Sequence, residues 1–171
     1  MTTYTMSNRA DQKLQIGDES NARLIAGTGA KCSLVAGNGD YLYLQLGTGA
    51  GSYAQCGNGH HNTLVAGCGA GDTLVGGNGG CTFVGADRAN HLYRGGTGND
   101  LFALGQLGAN LTIQGGGGSD TVEFTKQDSS HAQVFRDTGN RITQVLFTDI
   151  ARTVYIKDIE VLHFSDGKMI T

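Results

Sequence analysis

A Gly-x-Gly doublet returns every ten residues through the first half of the chain, at Gly27/Gly29, Gly37/Gly39, Gly47/Gly49, Gly57/Gly59, Gly67/Gly69 and Gly77/Gly79. A spacing this short and regular leaves room for one short strand and one turn per unit. Between the doublets, Leu24, Leu34, Leu44, Leu64 and Leu74 hold one position, with Ala54 as the exception. Ala26, Ala36, Leu46, Cys56, Ala66 and Gly76 hold the position two later. An offset of two puts both sets on one face of a strand. So small a unit cannot bury its apolar face alone, and successive units must stack and share a core.

The true period is twice as long. Inside the doublet, Asn38, Asn58 and Asn78 alternate with Thr28, Thr48 and Cys68; after it, Ala30, Ala50 and Ala70 alternate with Asp40, His60 and Gly80. This follows if one coil of twenty residues holds two strands and two turns, so that turns twenty residues apart lie above one another. The coil then has an asparagine edge and an alanine edge. Asparagines stacked about 4.8 Å apart can exchange amide hydrogen bonds along the axis, and stacked alanines let turns approach closely.

After Gly79 the pattern slips by one residue, through Gly85 to Asn90. It resumes at Gly96–Asp100, Leu107–Asn110 and Gly116–Asp120, with Ala89 and Ala109 continuing the alanine edge. Beyond Phe124 the glycine rhythm stops. Gln133–Phe135, Arg141–Phe147, Thr153–Ile156 and Ile159–Phe164 read as strands, and Asp137–Asn140 reads as a hairpin turn. The division expected is an N-terminal cap at 1–20, glycine-rich repeats over 21–124 in about five coils, and a C-terminal β capping segment at 125–171 that covers the open end of the stack.

Bulk properties agree with one architectural unit. The 171 residues include 29 glycines but no proline and no tryptophan, which fits regular turns and excludes collagen or Pro/Gly-rich disorder. A net charge of -3 without long runs of like charge gives no footprint for nucleic acid. The first twelve residues are polar, and no stretch of about 18 apolar residues occurs, so neither a cleaved signal nor a transmembrane segment is expected.

Two segments, Gly95–Ala103 and Gly115–Glu123, fit the nonapeptide Gly-Gly-x-Gly-x-Asp-x-apolar-x, and the tail Ile159–Gly167 has the form of the segment that closes such repeats. In these motifs the chain resembles the RTX (repeats-in-toxin) hemolysin-type calcium-binding β-roll modules of bacterial type I secreted proteins, over roughly residues 21–167. The resemblance implies a right-handed parallel β-solenoid that holds Ca²⁺ between stacked turns by Asp carboxylates and glycine carbonyls. Such donors suit an ion that takes about six to eight hard oxygens in a flexible cage. Carried over to this chain, the metal residues are Asp100, Asp120, Gly96, Gly98, Gly116 and Gly118. The other repeats depart from the pattern. Counted from the doublets, they place Lys31, Tyr41, Gly51, His61, Gly71 and Cys81, then Asn90 and Asn110, at the Asp position. Calcium is therefore expected only in the C-terminal coils. The competing reading makes Asp100 and Asp120 turn aspartates bonded to their own backbone.

Other constellations carry less. His60, His61 and Cys81 could converge on zinc but supply two or three ligands without a fourth, and solvent-facing turn residues are the plainer reading. The lattice separates Cys32 from Cys56 by strand column and Cys68 from Cys81 by edge, so four free thiols are expected. No nucleophile, base and orienting group assemble, since Asp72, Asp87 and Glu123 are scattered; the chain does not read as an enzyme. The outward columns, Lys13, Ser33, Tyr53 and Thr73 on one face and Arg23, Tyr43 and Thr63 on the other, form no threonine ladder of the kind an ice-binding solenoid presents. Tyr41, Tyr43 and Tyr53 could stack on a glycan.

The reading that follows is an RTX-like calcium-binding structural or interaction module of a secreted bacterial protein. Its partners would be calcium and either a glycan or a parent catalytic domain. The resemblance implies export through an uncleaved C-terminal signal, which four unpaired thiols weigh against, leaving a cytoplasmic location as the alternative. A carbohydrate-binding or adhesin-type accessory domain and an ice-binding solenoid are the alternatives in function, with a small enzyme behind them.

Overall fold

A computed structural model describes all 171 residues. Eighteen strands and one 3-10 turn at Ser129–His131 build two sheets. One sheet takes β1 (Thr2–Thr5), β3 (Ala22–Ile25), β5 (Tyr43–Gln45), β7 (Asn62–Val65), β9 (Cys81–Val84), β11 (Leu101–Leu104), β13 (Thr121–Phe124), β17 (Val161–Phe164) and β18 (Met169–Ile170), in that order. The other takes β2 (Lys13–Gln15), β4 (Ser33–Val35), β6 (Tyr53–Gln55), β8 (Thr73–Val75), β10 (Leu92–Gly96), β12 (Leu111–Gly116), β16 (Arg152–Lys157), β15 (Ile142–Phe147) and β14 (Ala132–Arg136). From β1 to β13 the chain passes from one sheet to the other at every turn, so it is a parallel β-solenoid of about six coils. Pairings such as Leu24↔Leu44 and Leu34↔Ala54 fix twenty residues per coil.

The core is the set of inward columns that this register stacks. Leu24, Leu44, Leu64, Phe83, Phe102, Val122 and Leu162 line one sheet. Leu34, Ala54, Leu74, Tyr93, Ile113 and Ile156 line the other. Nearly all are fully buried, and aromatic rings take over where the leucine column ends, with Phe83 and Phe102 stacked at 4.6 Å.

Both edges form as the alternation predicts, though the asparagine ladder is wired differently. Its amides do not bond to one another. The Asn58 N–H donates to Asn38 Oδ1 at 2.9 Å and the Asn78 N–H to Asn58 Oδ1 at 3.1 Å, and the Asn38 N–H donates to Asp18 Oδ1 at 2.7 Å. Each side chain thus satisfies a main-chain donor of the next coil. On the other edge the Lys31, Gly51, Gly71 and Asn90 amides donate to the carbonyls of Ala50, Ala70, Ala89 and Ala109 at 2.8–2.9 Å.

Residues 1–20, expected as a cap, form a coil of their own: β1 and β2 pair in parallel with β3 and β4. At the far end, β16 pairs in parallel with β12 and β17 with β13, which continues the stack across the insertion between them. Antiparallel β14/β15 and β18 then extend the two sheets past the last parallel strands and end them. No helix is long and apolar enough to cross a membrane.

Candidate metal centre

Two kinds of turn alternate with the strands, and the difference places the carboxylates. In the longer kind a residue one or two positions before the strand is left-handed: Asp11, Asn21, Lys31, Tyr41, His61, Asn90 and Asn110 have φ of 55–65°, with Gly51 and Gly71 at 70° and 77°. Of these corners, Lys31, Tyr41, Gly51, His61, Gly71, Asn90 and Asn110 were expected at the Asp position. The register corrects this by one residue: Asp120 pairs above Asp100, which stands above Cys81, and Cys81 above Asn62. The true column on this edge is therefore Ala22, Leu42, Asn62, Cys81, Asp100 and Asp120, all facing inward. His61 and Cys81 are accordingly not equivalent, because His61 is an exposed corner and Cys81 a buried strand start. No three His, Cys, Asp or Glu side chains are grouped as a metal cage would need, so a zinc site on His60, His61 and Cys81 has no geometric basis.

The turns Gly95–Asp100 and Gly115–Asp120 are of the shorter kind. They lack the left-handed corner and place positive φ at Gly96 (146°), Gly116 (112°) and Gly118 (115°) instead. The stacked turns lie so close that a Cβ on Gly116 would stand 2.0 Å from the Gly96 carbonyl oxygen. Only glycine meets both demands.

Within this frame the carboxylates form a ladder. The Cys81 N–H donates to Asp100 Oδ1 at 2.7 Å, the Asp100 N–H to Asp120 Oδ1 at 2.8 Å, and the Asp120 N–H to Glu160 Oε2 at 2.7 Å. Asp100 is 2 % exposed and Asp120 is fully buried. The second oxygen of each, Oδ2, is buried with no partner. Each lies over the first glycine of its own turn, where a Cβ on Gly95 or Gly115 would come within 2.2 or 2.3 Å of it. Burial pushes the Asp100 carboxyl up to about 7; the Cys81 amide opposes this and the charge of Asp120 adds to it. Burial likewise raises Asp120 to about 6 against the Asp100 amide, with Glu160 and Asp158 adding repulsion.

Asp72 is the internal control. It begins a strand on the alanine edge, is equally buried, and has both oxygens satisfied, by the Ser52 amide at 3.0 Å and the Gly67 amide at 3.0 Å. Its carboxyl is raised by burial to about 6, with both amides opposing. Ser52, Asp72 and His91 stack in one buried column, but through main-chain amides: the Asp72 N–H donates to His91 Nδ1 at 3.2 Å. They form no nucleophile–base pair.

Comparison with protein-family models, curated proteins and solved structures gives no match to this chain.

The donor set fits a hard cation. It has two unpaired carboxylate oxygens and carbonyls of the glycine turns, while Glu160, which is not grouped with the two aspartates as a third ligand, adds charge by accepting the Asp120 N–H. The Gly96 carbonyl accepts the Gly117 N–H at 2.8 Å, which leaves it a second lone pair. Glu160, absent from the expected site, is reached from forty residues away. Its signal is the alternation of Ile159–Phe164, which repeats that of Ser119–Phe124. The cysteines show one contact that the columns did not foresee. All four are thiols, but Cys56 and Cys81, which belong to different sheets, meet with Sγ–Sγ at 3.5 Å on the inside of the asparagine edge.

Proposed function

We propose that this chain is an RTX-like calcium-binding β-roll module of a secreted bacterial protein, with the ion at the asparagine edge between the turns Gly95–Asp100 and Gly115–Asp120. One observation carries the reading: Asp100 and Asp120 each bury a carboxylate oxygen without a partner, while Asp72 in the same fold has both oxygens satisfied. A buried carboxylate oxygen left unpaired is costly. A cation offsets that cost, and Ca²⁺ takes the carboxylate and carbonyl oxygens available here.

Asp100 and Asp120 would hold the ion through Oδ2, and the carbonyls of Gly96, Gly98, Gly116 and Gly118 would complete the shell. Glu160 adds negative charge from the capping coil while it positions Asp120 through the main chain. When bound, calcium supplies the positive charge that neutralises the column. At the same position the earlier coils carry Ala22, Leu42, Asn62 and Cys81, so the ion would fasten only the C-terminal coils. The role is structural rather than catalytic, and a site of this kind suits export to a calcium-containing medium outside the cell.

The test is calcium titration of metal-stripped protein by calorimetry, paired with hydrogen exchange. Saturable binding should protect amides after about residue 90 and leave the first coils unchanged, and Asp120→Asn should abolish it. A melting curve and exchange pattern indifferent to calcium would reduce both aspartates to turn residues.

A glycan-binding accessory role is the second reading. It is favoured by the exposed Tyr41 ring stacked on His61 at 5.0 Å beside an open cleft. Glycan-array binding lost in Tyr41→Ala would support it.

A further inference from the structure

The asparagine edge has one defect. Asn62 pairs with Cys81 nineteen residues on, so the turn at Gly77–Gly80 is one residue shorter than the turn at Gly57–His61. The corner residue His61 has no counterpart there, and a cleft of about 500 Å³ opens beneath it, lined by His60, His61, Asn78, Cys81 and Asn99 among others. Cys81 is the one cysteine among the lining residues. Behind it lies Cys56, immediately after β6 of the opposite sheet, with its sulfur 3.5 Å away. Both are buried, at 1 % and 3 % exposure. The room for this meeting comes from Gly76, which takes the place above Cys56: a Cβ there would stand 3.3 Å from Cys81 Sγ.

We propose that Cys56 and Cys81 are a redox-active dithiol that a small-molecule disulfide reaches through this cleft, closing an intrachain disulfide between the two sheets. The other cysteines have neither feature. Cys32 is buried, with its thiol donating to the Gly29 carbonyl at 3.2 Å, and Cys68 is exposed on the alanine edge.

The order of reaction follows from access. Cys81, and not Cys56, is among the residues that line the cleft, and its sulfur is buried, so it attacks the incoming disulfide when the Gly77–Gly80 turn opens locally, expelling one thiolate and leaving a mixed disulfide on Cys81. Cys56 then attacks Cys81 Sγ and expels the second thiolate. The two protons released by the cysteines pass to the two leaving thiolates. Two thiols are thereby oxidised, one external disulfide is reduced to two thiols, and one S–S bond forms in the chain. This bond would clamp the start of β9, whose Cys81 amide holds Asp100 Oδ1. The proposal does not depend on calcium.

The experiment uses the full chain carrying Cys68→Ser, which removes the exposed thiol, treated in its native state with oxidised glutathione. Intact mass should fall by two hydrogens, peptide mapping should join the Cys56 and Cys81 peptides, and reductant should restore both thiols. Cys56→Ser in the same background should stop at a glutathione adduct on Cys81, and Cys81→Ser should leave Cys56 unmodified. An unchanged mass in the folded protein, a bond that involves Cys32, or a glutathione adduct that persists with both cysteines present would overturn the proposal.

Discussion

The stacked carboxylates make stability depend on pH in a direction that calcium should reverse. Asp100 titrates at about 7 in the folded chain against 3.8 ordinarily, and Asp120 at about 6. A folded-state value raised above the unfolded one means the proton is bound more tightly when folded. The stability it contributes is full below about pH 4 and is lost as pH rises through about 6 to 7. At about 1.4 kcal/mol per pH unit, Asp100 corresponds to roughly 4 kcal/mol over its whole range, of which the two units between pH 5 and pH 7 carry roughly 3 kcal/mol, reduced to about 2 kcal/mol by the dielectric relaxation found even at buried sites. For a chain of this size that is a shift of about 4–8 °C in Tm. Circular-dichroism melts in chelator should therefore show a lower Tm at pH 8 than at pH 5. With calcium at about 1 mM the loss should vanish, because the ion binds the ionised form. Asp100→Asn keeps an oxygen for the Cys81 amide and removes the charge. It should raise Tm in chelator at pH 8, flatten the pH dependence and abolish the response to calcium. A metal-free Tm that is flat or rises from pH 5 to 8 would refute the electrostatic reasoning behind the site.

Two further outcomes test the packing. Phe102→Ala, which empties a fully buried position stacked on Phe83, should cost about 3–5 kcal/mol in urea unfolding. Gly59→Ala would put a Cβ 2.1 Å from the Gly39 carbonyl oxygen, and its expected loss is at least about 1–3 kcal/mol. Gly17→Ala meets nothing within 4 Å and should be neutral or stabilising by about 0.4–1 kcal/mol, which separates turn stacking from a general need for glycine.

The sequence by itself determined the coil. Alternation of Asn38, Asn58 and Asn78 with Thr28, Thr48 and Cys68 is a consequence of two strands per turn of the solenoid, and the register has that period. The edges, the inward leucine columns, the outward columns and the pairing of Asp100 with Asp120 were all legible, because in a stack each residue's neighbour is set by one number.

Tertiary structure decided what that number does not contain. Counting from the glycine doublets misplaced the inward position of the earlier turns by one residue. Turn length differs between the two classes, and a left-handed corner such as His61 or Lys31 faces outward while the next residue turns in. Across the core, Cys56 and Cys81 meet because Gly76 leaves a space that no single column records. Glu160 reaches Asp120 only because the chain, after an insertion, returns to the stack in register. Asp72 and Asp100 have the same side chain in equivalent places. Whether the second oxygen finds an amide depends on the backbone of the residue's own turn, which satisfies Asp72 through Gly67 and leaves Asp100 open.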